Sequence, residues 1–241
     1  MPRNVIVTGG TSGIGRAIAA RFAAAGDIVI ITGRNEEKLR RASDDLGVTG
    51  VRCDASNPTD VAAMVSAVPE RVDVLVNAVG ANVDTMRPDQ PAPALDDVLA
   101  AWRANLSANL LGAVLTTTAL LPRFGAGSTI LTIGSEAAEM AATSYGAAKA
   151  ALAAWTSGLS MMVGPRGMTA NTMVPGYTEG TDFYASPLPE AMRENLIATT
   201  HTRRAGRPED VAGLAFFLAS ADARHITGQA IHVSGGTHPT R

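Results

Sequence analysis

The first 26 residues contain the feature that most constrains the fold. A short apolar run, Val5–Val7, leads into a turn with four glycines at positions 9, 10, 13 and 15. An apolar-periodic segment then continues to Gly26. A strand, a glycine turn and a helix in direct succession open a βαβ unit, in which successive strands run parallel. The chain therefore starts as the first unit of a layered α/β sheet.

The glycine turn is also a candidate ligand site. Glycines at this position let the backbone approach a ligand, and the N-terminus of the following helix attracts phosphate. The spacing GxxxGxG differs from the general dinucleotide pattern GxGxxG, and glycine is also the ordinary residue of any tight turn. The position between a strand and a helix favours nucleotide binding, and the candidate contacts in the turn are Gly9, Thr11, Ser12, Gly13, Ile14 and Gly15.

The same alternation continues to the end of the chain. Further strand patterns, separated by about six helical ones, lie at 27–32, 48–51, 72–76, 128–133, 168–174 and 229–233. No linker-like change in composition interrupts them, so residues 1–241 are predicted to form a single doubly wound α/β domain. A hydrophobic share of 46% with 17% charged residues is typical of a globular protein and argues against disorder.

Composition also excludes several classes of function. A formal net charge of -2 gives no basic excess for nucleic acid. The single cysteine, Cys53, cannot form an internal disulfide, and the first residues lack a signal-peptide pattern, so we expect a cytoplasmic protein. No apolar run approaches the roughly 20 residues that a bilayer requires. Neither a membrane span nor a metal site is predicted.

The residues that follow the second and third strands bear on the choice of cofactor. An acidic residue after the second strand would bind the adenosine ribose 2'-hydroxyl, whereas an arginine accommodates a 2'-phosphate. Arg34 stands there, which favours NADP(H) and leaves NAD(H) as the alternative; Arg34 could equally be a solvated residue at the head of a helix. Asp54, followed by Ala55, is a candidate for the adenine amino group or a cap on the next turn.

Tyr145 and Lys149 form a candidate acid/base pair. Residues four apart lie on one helix face, and an adjacent ammonium lowers a phenol pKa from its usual ~10. The non-functional alternative is that the two residues stand four apart by chance on an alanine-rich helix. The small side chains of that helix could also allow it to pack closely against a second subunit.

Two more polar residues fall on predicted apolar elements. Asn109 lies among the apolar positions of a long helix predicted over 95–121, where a structural hydrogen bond is the default reading. Ser135 follows the fifth strand and shares the sheet edge of the glycine turn. After the sixth strand, residues 177–200 are predicted as an irregular apolar insertion, more often a substrate lid than a connection; we take the lid as 177–203.

Together these motifs resemble the short-chain dehydrogenase/reductase family along essentially the whole chain. Residues 8–15 are similar to its TGxxxGxG turn, residues 75–80 to its LVNNAG strand end, and Tyr145 to Lys149 to its YxxxK motif. Asn109, Ser135 and the Pro175-Gly176 turn also match, and the tail over 206–236 is similar to the 3-oxoacyl-(acyl-carrier-protein)-reductase-like branch.

This resemblance implies a fold, a mechanism and an assembly. The sheet would have seven parallel strands in the order 3-2-1-4-5-6-7, a Rossmann-type arrangement with helices on both faces. Hydride would pass between nicotinamide and a carbonyl carbon while Tyr145 acts on the oxygen; Lys149 would lower the tyrosine pKa and hold the nicotinamide ribose. Ser135 would orient the substrate, Asn109 would hold a relay water, and the chain would form a homotetramer or homodimer. Further implied cofactor contacts are Asn77, Gly80, Pro175, Gly176 and Thr178.

The sequence leaves the substrate open. The loop between Ser135 and Tyr145 is shorter than is usual in the family, which should reshape the substrate mouth. Apolar lid residues, Phe183 among them, suggest a partly apolar small molecule. Glu136 and Glu139, near the substrate entrance, could recognise a cationic or polyhydroxy group or simply face water, and we favour water. The alternative function is a non-catalytic dinucleotide sensor, which should have lost the acid/base pair that this chain retains.

Overall fold

The computed structural model describes residues 1–84, 93–140, 142–183 and 188–238. Seven strands form one sheet in the order β3-β2-β1-β4-β5-β6-β7, and every neighbouring pair is parallel. This confirms the predicted single-domain doubly wound topology. The strands are β1 (Asn4–Thr8), β2 (Ile28–Gly33), β3 (Thr49–Arg52), β4 (Val72–Asn77), β5 (Phe124–Ile133), β6 (Thr169–Pro175) and β7 (Ala230–Val233).

The helices cover both faces of the sheet. They are α1 (Gly13–Ala24), α2 (Glu36–Leu46), α3 (Pro58–Ala67), α4 (Leu95–Leu106), α5 (Gly112–Leu120), α6 (Ala137–Met140), α7 (Ser144–Val163), α8 (Glu190–Thr199) and α9 (Pro208–Leu218). Two apolar clusters result, because strand side chains alternate between the faces. One contains Phe22 of α1 and Leu218 of α9, and the other contains Met64 of α3 and Leu159 of α7.

The central helix differs from the prediction of one continuous α-helix over 95–121. A π-helical turn, Ser107–Leu111, separates α4 from α5, and such turns often occur at functional sites. By length and hydropathy alone, Leu95–Arg123 would suffice to cross a membrane, so the expectation that no run approaches that length is wrong. The segment nevertheless carries two asparagines, Asn105 and Asn109, that are buried inside the protein.

Two other boundaries differ from the prediction. β5 begins at Phe124, four residues before the predicted start, because its first residues pair with the start of β4 across a bulge. The insertion after β6 is not irregular throughout, since it contains α8. Residues 184–187 of the predicted lid lie outside the described residues.

Candidate active site

The turn between β1 and α1 is shaped so that only glycine fits at several positions. Gly9 and Gly13 have φ angles of 67° and 51°, in the left-handed region that favours glycine. A Cβ on Gly15 would lie 2.3 Å from the carbonyl oxygen of Gly9. Ser12, the residue before α1, makes no capping hydrogen bond with its side chain, so the first amides of α1 are available to an anion. The turn fits a dinucleotide phosphate.

The end of β4 forms the wall next to this turn. The backbone N–H of Ala78 donates to the carbonyl oxygen of Thr8 at 3.2 Å. Asn77 donates from Nδ2 to the hydroxyl of Thr117 at 3.0 Å, while its Oδ1 is buried without a hydrogen-bond partner among the described residues. Gly80 lies further along this wall, beside the side chains of Asn109 and Lys149, which a Cβ on Gly80 would crowd.

Arg34 and Asp54 stand at the ends of β2 and β3. Asp54 accepts hydrogen bonds from the hydroxyl and the backbone N–H of Ser56, at 2.7 and 3.0 Å, as in the predicted cap. The hydroxyl of Ser56, and more weakly the charge of Arg34, lowers the pKa of the Asp54 carboxyl below its usual value. Ala55 is buried, close to Gly112 of α5. Arg34 is exposed at this corner of the sheet edge.

Tyr145 and Lys149 lie together on α7, as their spacing predicts. Both are almost fully buried, at 7% and 3% exposure. The Nζ of Lys149 lies 5.7 Å from the centroid of the Tyr145 ring and donates to the carbonyl oxygen of Ile133 at 2.8 Å. Burial lowers the pKa of Lys149 from 10.5 to about 8, because an ammonium loses hydration inside the protein. The site therefore holds a desolvated cation beside a phenol.

Ser135 and Phe183 complete the surroundings of the tyrosine. Ser135 follows Ile133, whose carbonyl binds Lys149, by two residues, and its Oγ accepts from the backbone N–H of Ala137 at 3.2 Å. The ring of Phe183 lies 5.4 Å from the ring of Tyr145, centroid to centroid, and forms an apolar wall. Ser135 thus follows the strand whose Ile133 carbonyl holds Lys149, and the phenol and the ammonium lie together on α7.

Asn109 holds the backbone beside the fourth strand. Its Nδ2 donates to the carbonyl oxygens of Ala81 and Asn105 at 2.7 and 3.0 Å, and its Oδ1 accepts from the N–H of Ala81 at 3.3 Å. These bonds give Asn109 the structural role that its burial requires. Because a Cβ on Gly80 would lie 2.9 Å from Asn109 Oδ1 and 3.2 Å from Lys149 Nζ, both side chains also border one small space.

The sequence interpretation missed Asp84 and Asn105. Asp84 accepts from Asn105 Nδ2 at 3.1 Å, from the backbone N–H of Tyr145 at 3.2 Å, and from the hydroxyl of Ser144. Asn105 also donates to the Ser144 hydroxyl at 2.8 Å. Burial alone would raise the pKa of Asp84, but hydrogen bonds from Ser144, Thr143 and the first amides of α7 lower it. The carboxylate caps the helix one residue before Tyr145.

A sequence signal exists for one of the two. Asn105 stands one helical turn before Asn109, so the pair forms a polar stripe on an otherwise apolar helix. Asp84 had no such signal, because it precedes α7 by sixty residues and meets that helix only through the tertiary fold.

The turn after β6 supports the opposite side of the site. Thr178 is 9% exposed, its Oγ1 donates to the carbonyl oxygen of Gly176 at 3.0 Å, and it bridges to Gly206. The N–H of Gly176 donates to the carbonyl oxygen of Val233 at 3.3 Å, which fixes Pro175-Gly176 at the same sheet edge as Ser135. The residues implied for the nicotinamide end, Pro175, Gly176 and Thr178, therefore lie at the sheet edge where Ser135 follows β5.

Comparison with known proteins connects this geometry with activity. A family model described as enoyl-(acyl carrier protein) reductase matches residues 9–238. The 3-oxoacyl-(acyl-carrier-protein) reductase of Rickettsia felis is 34% identical over 234 residues, covering 96% of this chain and 95% of that protein. The corresponding reductase of Escherichia coli K12 is 32% identical over 242 residues, covering 97% and 96%.

Solved structures agree with the sequence comparisons. The crystal structure of a short-chain dehydrogenase/reductase from Brucella melitensis, described as glucose/ribitol dehydrogenase, has a TM-score of 0.88 and 30% sequence identity. The similarity covers 99% of this chain and 97% of that one.

Proposed function

Since this chain belongs to the short-chain dehydrogenase/reductase family and is an oxidoreductase of its ketoreductase-like branch, we propose that it interconverts a carbonyl and a secondary alcohol with NADP(H). Tyr145 is the general acid/base of this reaction. The observation that carries the proposal is the desolvated Lys149 ammonium, 5.7 Å from the Tyr145 ring at the ligand edge of the sheet.

Each residue of the site has a task in this proposal. When bound, the nicotinamide supplies the hydride to the carbonyl carbon or accepts it from the alcohol. Tyr145 gives its phenolic proton to the carbonyl oxygen in reduction and takes it back in oxidation. Ser135 donates a hydrogen bond that orients the substrate oxygen, and Asn109 holds a water between its amide and Lys149.

Lys149 acts through its charge. A phenol needs about 4 kcal/mol of differential stabilisation for its pKa to fall from ~10 to 7. An ammonium near the ring favours the phenolate, and the low local dielectric strengthens that attraction. The hydrogen bond from Nζ to the Ile133 carbonyl at 2.8 Å holds the ammonium in place.

Replacing Tyr145 with phenylalanine tests the chemical assignment. Tyr145→Phe keeps the ring against Phe183 and removes the phenolic hydroxyl that carries the proton, so we expect NADPH to bind with unchanged affinity while kcat falls by about 10²- to 10⁴-fold. NADPH fluorescence gives the affinity, and loss of NADPH absorbance with any accepted ketone gives the rate. Equal turnover by both proteins would remove Tyr145 from the mechanism.

Cofactor choice is a separate part of the proposal and rests on Arg34. An exposed arginine after β2, with no carboxylate directly following the strand, suits the 2'-phosphate of NADP. We expect Arg34→Ala to raise the KM for NADPH about 10- to 100-fold and to leave that for NADH within about threefold. Arg40→Ala, on the exposed face of α2 where Arg40 pairs with Asp44, is the control. An unchanged KM for NADPH would contradict the assignment.

The lid and the assembly complete the proposal. The segment 177–203 covers the substrate, as the position of Phe183 against Tyr145 supports. A homotetramer is supported by apolar side chains that α4 and α7 leave exposed, namely Leu95, Leu99, Trp102, Met161 and Met162. Light scattering of the purified protein measures the mass, and a monomer at micromolar concentration would refute the assembly.

A further inference from the structure

The loop after β5 holds a carboxylate that the chemistry above does not use. Glu136 directly follows Ser135, and its backbone N–H donates to the carbonyl oxygen of Pro175 at 3.2 Å. Its Oε1 is buried and has no hydrogen-bond partner among the described residues. Glu136 as a whole is half-buried, so the expectation that it faces water fails for Oε1. Glu139 on α6 does face water, with a side chain 51% exposed.

Gly176 makes room for this carboxylate. A Cβ at position 176 would lie 2.9 Å from Oε2 and 3.1 Å from Oε1 of Glu136, so any larger residue would displace the carboxylate. Gly176 follows β6 and Ser135 follows β5, and these two strands are neighbours in the sheet. The carboxylate thus lies at the ligand edge, between the residue proposed to orient the substrate and the turn proposed to meet the nicotinamide.

The described part of the protein offers this carboxylate no cation. Arg193 pairs with Glu179, Arg204 pairs with Asp210, and His232 lies 3.5 Å from Glu139. A shielded acceptor without a donor is costly, and Oε1 is such an acceptor in a side chain that is otherwise half-buried. A carboxylate at the ligand edge is stabilised when a bound molecule supplies the donor.

We propose that Glu136 selects substrates that carry a hydroxyl or ammonium hydrogen-bond donor close to the reacting carbonyl. This inference rests on the proposed function and names its substrate class: α-hydroxy and α-amino ketones, and the matching diols and amino alcohols. Because the Phe183 ring forms the other wall, the substrate carries an apolar substituent as well. The reaction is unchanged: NADPH loses a hydride to the carbonyl carbon, Tyr145 gives a proton to its oxygen, and the donor group stays intact.

Four ketones of one skeleton test the selection. Acetophenone has no polar group beside the carbonyl, and the ether oxygen of 2-methoxyacetophenone cannot donate a hydrogen bond. 2-Hydroxyacetophenone and 2-aminoacetophenone each carry a hydrogen-bond donor next to the carbonyl. We expect the wild type to reduce the hydroxy ketone with a kcat/KM about 10- to 100-fold above that for the methoxy ketone. In Glu136→Ala the ratio falls to within about threefold of unity. In Glu136→Gln the amino ketone loses more than the hydroxy ketone, because the amide accepts a hydrogen bond without charge.

The controls separate Glu136 from its surroundings. Glu139→Gln removes a charge from α6, three residues further along the chain, and should leave the ratio unchanged. NADPH affinity, measured by fluorescence, should also be unchanged in Glu136→Gln. Weaker NADPH binding with an unchanged substrate ratio would mean that the carboxylate serves the nicotinamide carboxamide, and the proposal would be wrong.

Other outcomes distinguish this inference from the proposed function. Equal wild-type kcat/KM for the hydroxy and methoxy ketones overturns the role of Glu136 and leaves the carbonyl chemistry intact. Absence of NADPH oxidation with all four ketones counts against the proposed function. In that case the role of Glu136 is tested by ligand binding instead of turnover. The measured quantity is the rise in Tm that 1-phenyl-1,2-ethanediol produces in the presence of NADP⁺. A rise that is equal in wild type and Glu136→Ala overturns the inference.

Discussion

Lys149 should make the stability of the ligand-free protein depend on pH in a way that one substitution can isolate. Burial lowers its pKa from 10.5 to about 8 in the folded protein. Below pH 8 the lysine is charged in both states, and folding carries the full cost of burying the ammonium. Between pH 8 and 10.5 the unfolded chain binds the proton and the folded chain does not, so stability rises with pH.

The size of the effect follows from the two pKa values. A shift of one pKa unit corresponds to about 1.4 kcal/mol, and integration from pH 7 to pH 9.5 gives a gain of about 2 kcal/mol for Lys149. In a protein of this length, 1 kcal/mol changes Tm by about 2–4 °C. Relative to Lys149→Met, which cannot titrate, the wild type should therefore gain about 4–8 °C over this range.

The assay compares the two proteins so that titrations independent of Lys149 cancel, and the same comparison in a Tyr145→Phe background removes the phenol, whose pKa depends on Lys149. Urea unfolding of wild type and Lys149→Met is followed at pH 7, 8, 9 and 9.5 with protein concentration fixed, because assembly makes stability depend on concentration. The chain has only one other lysine, Lys38, whose side chain is 62% exposed. Lys38→Met is the matched control, and its difference from wild type should stay flat. A flat difference for Lys149→Met would show that water hydrates the ammonium.

Three further predictions concern the surroundings of the site. Asp84→Ala should lower the free energy of unfolding in urea by about 1–3 kcal/mol, because the donors at the start of α7 lose their acceptor, and Asp84→Asn should cost less; equal stability of all three proteins would contradict the cap. Gly15→Ala should abolish NADPH binding or folding, because the added Cβ would meet the Gly9 carbonyl. Its control is Gly213→Ala on α9, where the added Cβ has open space and the higher helix propensity of alanine should raise Tm. Gly80→Ala should lower kcat by about 10²-fold with little change in Tm, because it displaces the side-chain ends of Asn109 and Lys149; an unchanged kcat would refute that crowding.

The succession of strands and helices could be predicted because each element has a local signal, whereas the order of the strands in the sheet was implied by the family resemblance. Apolar runs indicate the strands, and the glycines from Gly9 to Gly15 indicate the turn, where the backbone at Gly15 packs directly against the carbonyl of Gly9. The pairing of Tyr145 with Lys149 is also local, since helical spacing alone places the two side chains on one face.

What the sequence could not predict depends on contacts between distant segments. The π turn at Ser107–Leu111 interrupts a helix whose composition favours a continuous α-helix, and it accompanies the tertiary hydrogen bonds of Asn109 to the backbone at Ala81. Asp84 reaches α7 across sixty residues of sequence. Neither Ala81 nor Asp84 lies in a segment with helical or strand periodicity.

The cofactor side and the substrate side of the site tolerate sequence change to different degrees. This difference indicates which residues determine the substrate. On the cofactor side, the Gly15 backbone leaves no room for a Cβ against the Gly9 carbonyl, so the turn accepts little change. On the substrate side, the short loop over 136–144 places a carboxylate against Gly176, and only the absence of one Cβ admits it. A change in that loop should alter which substrates bind without altering the glycine turn between β1 and α1 that is proposed to bind the cofactor phosphate. The substrate of this enzyme should therefore be inferred from Glu136 and Phe183.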